Sequence, residues 1–174
     1  LGRSTAGDGA AGTFVWDSSD LSTEVGNDPQ GGIYVAPNSD TSGTSGAWIR
    51  QDISQPIVEW WGAVGDDSTD NSSVIQSAND AIFALGMHEL YFGANVYRAA
   101  GLTQTVNWIG RGTKNTIIRK NSNVLTLTID NGYGKSVNFK VDSGISDTTN
   151  GVELVGGGRM TIDMEVDGHG GNGF

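Results

Sequence analysis

Trp61-Gly62-Ala63-Val64-Gly65-Asp66-Asp67-Ser68-Thr69-Asp70 runs straight into Asn71-Ser72-Ser73-Val74-Ile75-Gln76-Ser77-Ala78-Asn79-Asp80-Ala81. The two glycines permit tight backbone paths or positive φ. Asp66 and Asp70 are suited to accept backbone N–H groups in a turn and at a helix start. Val74, Ile75, Ala78, Ile82 and Leu85 then recur at helical spacing. Asp70 or Ser72 can cap this helix, and Gly86 stops it. On this reading the acids of the turn are structural rather than catalytic.

On the far side of Gly86 the pattern turns to short strands. Leu90-Tyr91-Phe92, Val96-Tyr97, Val106 to Ile109, Thr116 to Ile118, Val124 to Ile129, Val137 to Val141, Gly151 to Val155 and Met160 to Val166 follow in turn. Apolar and polar residues alternate in them, as in strands with one buried face. Gly and Asn punctuate the series. Two architectures accommodate it: an antiparallel sandwich with hairpins, or a parallel β-helix whose coils stack. Asn131-Gly132 suits a hairpin. The other connections are longer and irregular, which suits solenoid corners, and a lone amphipathic helix can plug the open end of such a core. On the near side, Thr13 to Trp16, Gly32 to Val35 and Ala47 to Arg50 read as strands bounded by turn residues. Residues 1–56 therefore form a small β module, too few strands to stand alone. Residues 57–174 form the second part.

Composition fits that division. Glycine supplies 27 of 174 residues, about 16% against a usual ~7%, with no three-residue period. A chain of this length hides roughly 70% of its extended surface, so a packed core is expected. The absence of cysteine excludes disulfides, thiolate chemistry and cysteine-ligated zinc. No apolar run approaches the length of a membrane span. With 10 basic and 20 acidic residues the net charge is −10, which disfavours nucleic acid as a partner. The charge is uneven. From Arg98 to Lys140 there are seven basic residues against one acid, and from Val141 to Phe174 six acids against Arg159. The two bands suit an acidic ligand or a neighbouring subunit, or simply form a solvated strand surface.

The segment from Trp61 to Asp70 resembles the opening signature of the pectate-lyase-like superfamily, right-handed β-helix proteins abundant among phage tailspikes and polysaccharide-degrading enzymes. That pattern is roughly Phe-Gly-Ala-x-Gly-Asp-Gly-x-x-Asp-Asp-Thr, followed by a helix with Ala-Ile-Gln-x-Ala-x-x-Ala. Val74 to Ala81 supplies the helix, and Leu90 to Tyr97 resembles the family's Leu-x-Phe-Pro-x-Gly-x-Tyr segment. The chain departs from the pattern at Trp61 for Phe, Asp67 for Gly, Asn71 for Asp and Gly93 for Pro. Residues 7–51, with Gly12 to Asp17 and Ser45 to Arg50, are similar to the module that often precedes the β-helix in phage tail proteins. The two matches span most of residues 7–110.

The resemblance implies an all-β fold: a tailspike-type β module, then a capping helix and the first coils of a right-handed parallel β-helix. It implies the N-terminal portion of a longer, homotrimeric tailspike on the virion. That protein would bind and degrade bacterial capsular or O-antigen polysaccharide as a glycoside hydrolase or lyase and contact other tail proteins. This portion would mainly supply folding, trimer contacts and virion linkage, with the complete active site lying further on. The alternative is a non-catalytic tail adaptor or glycan-binding adhesin. A bacterial secreted lyase is disfavoured by the module at residues 7–51.

Hydrolysis of a glycosidic bond needs two carboxyls roughly 5–9.5 Å apart. Ile162-Asp163-Met164-Glu165-Val166-Asp167 puts Asp163, Glu165 and Asp167 on one strand face, neighbours about 6.7 Å apart along the backbone. They are the catalytic candidates, although any outward-facing acidic strand has the same pattern. His169 and Trp108 are the substrate-binding candidates, with Trp60 a further aromatic able to stack on a sugar or close a core. His88 suits the helix C-terminus. Trp16 and Trp48 are expected to pack the first module. No EF-hand spacing occurs, and neither cofactor nor metal is expected.

Overall fold

The computed structural model describes residues 7–122, 127–129, 135–142, 152–154 and 161–167. The first part carries β1 (Phe14–Asp17), α1 (Ser22–Asn27), β2 (Tyr34–Val35) and β3 (Ala47–Arg50). The three strands form one antiparallel sheet in the order β1-β3-β2. A 3-10 turn, Val58–Trp61, leads to β4 (Asp66–Asp70) and the helix α2 (Ser72–Ala84). Then come β5 (Glu89–Tyr91), β6 (Val96–Arg98), β7 (Leu102–Gln104), β8 (Asn107–Ile109) and β9 (Ile117–Arg119). The described chain closes with β10 (Leu127–Ile129), β11 (Lys135–Asp142), β12 (Val152–Leu154) and β13 (Thr161–Asp167).

Among the described residues every strand pairing from β4 onward is parallel. The right-handed parallel β-helix and all-β class expected from the sequence are nevertheless not the architecture. Among the described residues the sheets are mixed: the antiparallel one, a parallel β12-β10-β7 sheet, and a seven-stranded parallel half-barrel, with two α-helices beside them. The cause lies in β11. Its eight residues pair with β8 through Ser136 and Val137 and with β9 through Lys140 to Asp142. Two strand stacks, β5-β8 and β4-β6-β9, thereby become one continuous sheet. The bend between them falls at Asn138, with φ of 62°. The register to β13 also slips between Val137 and Phe139. Gly110 lies against this bend, where any Cβ would overlap the Asn138 carbonyl, so only glycine fits.

Helix α2 follows the spacing of its apolar residues, burying Ile75, Ala78, Ala81 and Ile82. Gly86, at φ 70°, ends it: Met87 N–H bonds the Ile82 carbonyl (2.9 Å) and Gly86 N–H that of Phe83 (3.0 Å). This is a Schellman closure. The buried Asn79 ties the helix to the sheet. Its Oδ1 accepts from Trp108 Nε1 (3.0 Å) and Thr105 N–H (3.1 Å), and its Nδ2 donates to Thr105 Oγ1 (2.8 Å). Gln76 clamps Thr103 through both the N–H (2.8 Å) and the carbonyl (3.1 Å). Behind the helix lies an aromatic cluster of Phe92, Tyr97, Trp108 and Phe139, with ring centroids 5.1–6.4 Å apart.

The turn into α2 is closed by side chains. Asp66 Oδ1 accepts Ser68 N–H (2.9 Å) and Thr69 N–H (2.8 Å), holding its carboxyl well below the usual range. Asn71, rather than Asp70 or Ser72, stands at the N-cap. Its amide accepts from Val64 N–H (2.7 Å) and donates to the Val64 (3.0 Å) and Thr69 (2.8 Å) carbonyls. An Asp there has no donor for the last two bonds.

Two buried charges bind the first part to the second. Asp28 accepts four N–H groups: Gly32 (3.2 Å), Ile33 (2.7 Å), Tyr34 (2.9 Å) and Trp61 Nε1 (2.7 Å). Arg50 donates to the Gly32, Ala11 and Ala10 carbonyls, its guanidinium 4.3 Å above the Trp60 ring and 4.6 Å from Phe14.

Candidate functional site

Strand β13 alternates as its sequence requires. Ile162, Met164 and Val166 are half-buried against the core, and Asp163, Glu165 and Asp167 are exposed. The three candidate acids thus share one solvent-facing row. Lys140, on the neighbouring β11, reaches Asp167 (3.0 Å) and Glu165 (3.4 Å). The bond to Asp167, reinforced by Glu165, raises the Lys140 pKa, so the ammonium stays charged through neutral pH. Two of the three acids are therefore engaged by a cation on the neighbouring strand.

The basic band of the sequence meets acids in the same manner further along the sheet. Arg98 and Arg119 face each other in register on β6 and β9, a repulsive pairing. Asp67 neutralises it by binding both, with Arg98 Nε at 3.2 Å and Arg119 Nη1 on its other oxygen. Asp142 accepts from Arg119 Nε (3.1 Å) and Nη2 (3.0 Å). Asp67 holds φ of 56°, a left-handed backbone rare for non-glycine residues.

Trp108 is corrected as a substrate platform. It is wholly buried in the aromatic cluster, with its N–H spent on Asn79, so no ring face is left for a sugar. Trp60 is likewise buried, beneath Arg50. His169 lies outside the described residues. His88 is exposed just before β5. Among the described residues the large exposed aromatics are instead Phe83 (63%), on α2, and Trp16 (39%) with Trp48 (44%), an edge-to-face cross-strand pair at 5.4 Å on the first sheet.

One polar cluster escaped the sequence reading. Glu59, buried in the 3-10 turn, turns Oε1 toward the Tyr97 hydroxyl and Asn95 Nδ2 (3.1 Å). The Tyr97 hydroxyl also accepts Gly93 N–H (2.9 Å). Burial, with the Glu59 charge beside it, pushes the phenol well above its ordinary pKa and keeps it protonated. The available signal was a single acid inside the apolar run Val58-Glu59-Trp60-Trp61.

Among the described residues no group of three or more His, Asp or Glu is placed to hold a metal ion, and no helix is long and apolar enough to cross a membrane. No family model, curated protein or solved structure matches the chain.

Proposed function

We propose that this chain is part of a bacteriophage tailspike that engages bacterial surface polysaccharide during host attachment. Its described residues mainly serve folding, subunit association as a homotrimer and linkage to other tail proteins, and they take part in holding the polysaccharide. Cleavage of the polysaccharide belongs to the parent protein's chemistry. The observation that carries this reading is Asp67. The tailspike-type signature has Gly where Asp67 stands, and the backbone there has the positive φ that glycine favours. The substitution is compensated by ion pairs to Arg98 and Arg119. Sequence likeness and local geometry thus agree at a position where chance agreement is uncommon.

A non-catalytic adaptor or adhesin is the second reading, and Lys140 favours it by occupying Glu165 and Asp167. Both readings place glycan contact ahead of chemistry. The test is binding of the 174-residue chain to immobilised capsular and O-antigen polysaccharides, with sedimentation equilibrium alongside. Saturable binding to at least one polysaccharide and a mass three times 18.2 kDa are expected. Binding to none of a broad panel contradicts the glycan assignment, and a monomer at all concentrations contradicts the assembly role.

A further inference from the structure

Trp16 and Trp48 share one face of the first sheet with Phe14 and Arg50, because the register pairs Trp16 with Trp48 and Phe14 with Arg50. The Phe14–Arg50 end of that face is closed by Trp60, over which the guanidinium lies. The Trp16–Trp48 end is open. Its two rings meet at 63° and form a corner, so a flat ring laid on one indole borders the other. Gly46, at φ 117°, fixes the placement of Trp16, since a Cβ there would overlap the indole. Neither indole N–H has an acceptor among the described residues, whereas those of Trp61 and Trp108 are spent on Asp28 and Asn79. The corner therefore offers apolar ring area together with two unspent donors. A molecule with a C–H face and oxygen acceptors complements both.

Charge and size narrow the occupant. Residues 13–51 hold Asp17, Asp20, Glu24, Asp28 and Asp40 against Arg50 as the one basic residue, and Arg50 is buried. Asp17 directly follows Trp16, and Asp40 accepts the Ser45 N–H (2.7 Å) beside Gly46. Hydrogen bonds from Ser19 hold the Asp17 carboxyl below the usual range, and those from Ser42 and Ser45 hold that of Asp40 at about 2, so both stay charged. They repel an anionic ligand. A cationic group cannot accept from the two indoles. The sheet, with strands of two to four residues, spans on the order of 150 Å². That is far below the roughly 800 Å² per partner of a stable protein interface. One or two sugar rings fit the area; a subunit does not.

We propose that the Trp16–Trp48 corner is a stacking platform for neutral hexopyranose units of the surface polysaccharide, an assignment that rests on the glycan reading above and narrows it to uncharged sugars. The C–H face of a pyranose lies on an indole, and its hydroxyl or ring oxygens accept the indole N–H groups.

The probes are neutral polysaccharides (dextran, galactan, mannan and neutral O-antigens) and acidic ones (hyaluronate, polygalacturonate and acidic capsules), titrated into the whole chain. At least one neutral polymer is expected to bind, with an affinity that added salt leaves unchanged, and no acidic one. Bound polymer is expected to shield tryptophan fluorescence from acrylamide, because the indoles it covers are the exposed ones. Trp16→Ala and Trp48→Ala, each verified as folded by circular dichroism, are expected to weaken binding about tenfold. The quenching measurement needs no variant and decides the matter should neither variant fold. Undiminished binding in either folded variant, or unchanged quenching under saturating polymer, overturns this site and leaves the glycan reading standing. Acidic polymers bound as tightly as neutral ones, or more so, overturn the assignment to uncharged sugars. Binding of no polymer overturns the site and the glycan reading together.

Discussion

Trp108→Ala is expected to lower the free energy of unfolding by about 3–5 kcal/mol. The indole is fully buried, in contact with Phe92 and Phe139, and its removal opens a cavity at the junction of α2 and the half-barrel. The loss has a second component. Asn79 Oδ1 keeps only Thr105 N–H when Trp108 Nε1 is gone. Trp108→Phe retains most of the ring area but not the N–H, so it should cost less than the alanine variant, leaving about 1–2 kcal/mol for the lost bond and the changed shape. Urea unfolding of the three proteins measures both. If Trp108 were a sugar platform, the alanine variant would instead keep its stability and lose polysaccharide binding. A stability change under about 1 kcal/mol would contradict the burial described here.

Asp28→Ala is expected to destabilise by at least about 3 kcal/mol, because four N–H groups lose one shared acceptor in a buried setting. Against a typical total of roughly 5–15 kcal/mol, that is a large fraction. Asp28→Asn should recover only part of the loss. The two carboxylate oxygens divide the work, Oδ1 taking Gly32 and Trp61 and Oδ2 taking Ile33 and Tyr34. An amide has one oxygen, so its nitrogen must face one of those pairs of donors. The effect spreads across the junction, since Trp61 also packs on Gly32, where a Cβ would overlap the indole. Trp61 fluorescence during unfolding should therefore report the first part loosening before the half-barrel in Asp28→Ala. Coincident transitions with unchanged midpoints would contradict this role.

Local features were legible where a single period governs them. The 3.6-residue spacing of Val74 to Leu85 placed α2, and alternation placed the acids of β13 outward. The strands of the first sheet followed their β-forming runs. The union of two strand stacks at β11 was not legible. Val137, Phe139 and Val141 alternate perfectly in the sequence, yet the buried residues are Ser136, Phe139 and Val141. The positive φ at Asn138 shifts the phase by one residue, and no side-chain pattern announces it. Helix α1 was missed because six residues, Ser-Thr-Glu-Val-Gly-Asn, carry neither an apolar repeat nor a side-chain cap. Trp108 shows a different limit. An aromatic residue on an alternating strand can face either side, and only packing decides. For the charged residues, the uneven bands were visible but their pairing was not, since Asp67 and Arg119 lie 52 positions apart.

The proposed work of the described residues is attachment, not cleavage. Its most direct test is to incubate this chain with a polysaccharide it binds and to size the polymer by chromatography while following reducing ends and unsaturated products. The prediction is polymer that stays at full length while bound. Steady release of oligosaccharides, abolished by Glu165→Gln or Asp163→Asn in folded protein, would contradict it and make the β13 row a catalytic centre.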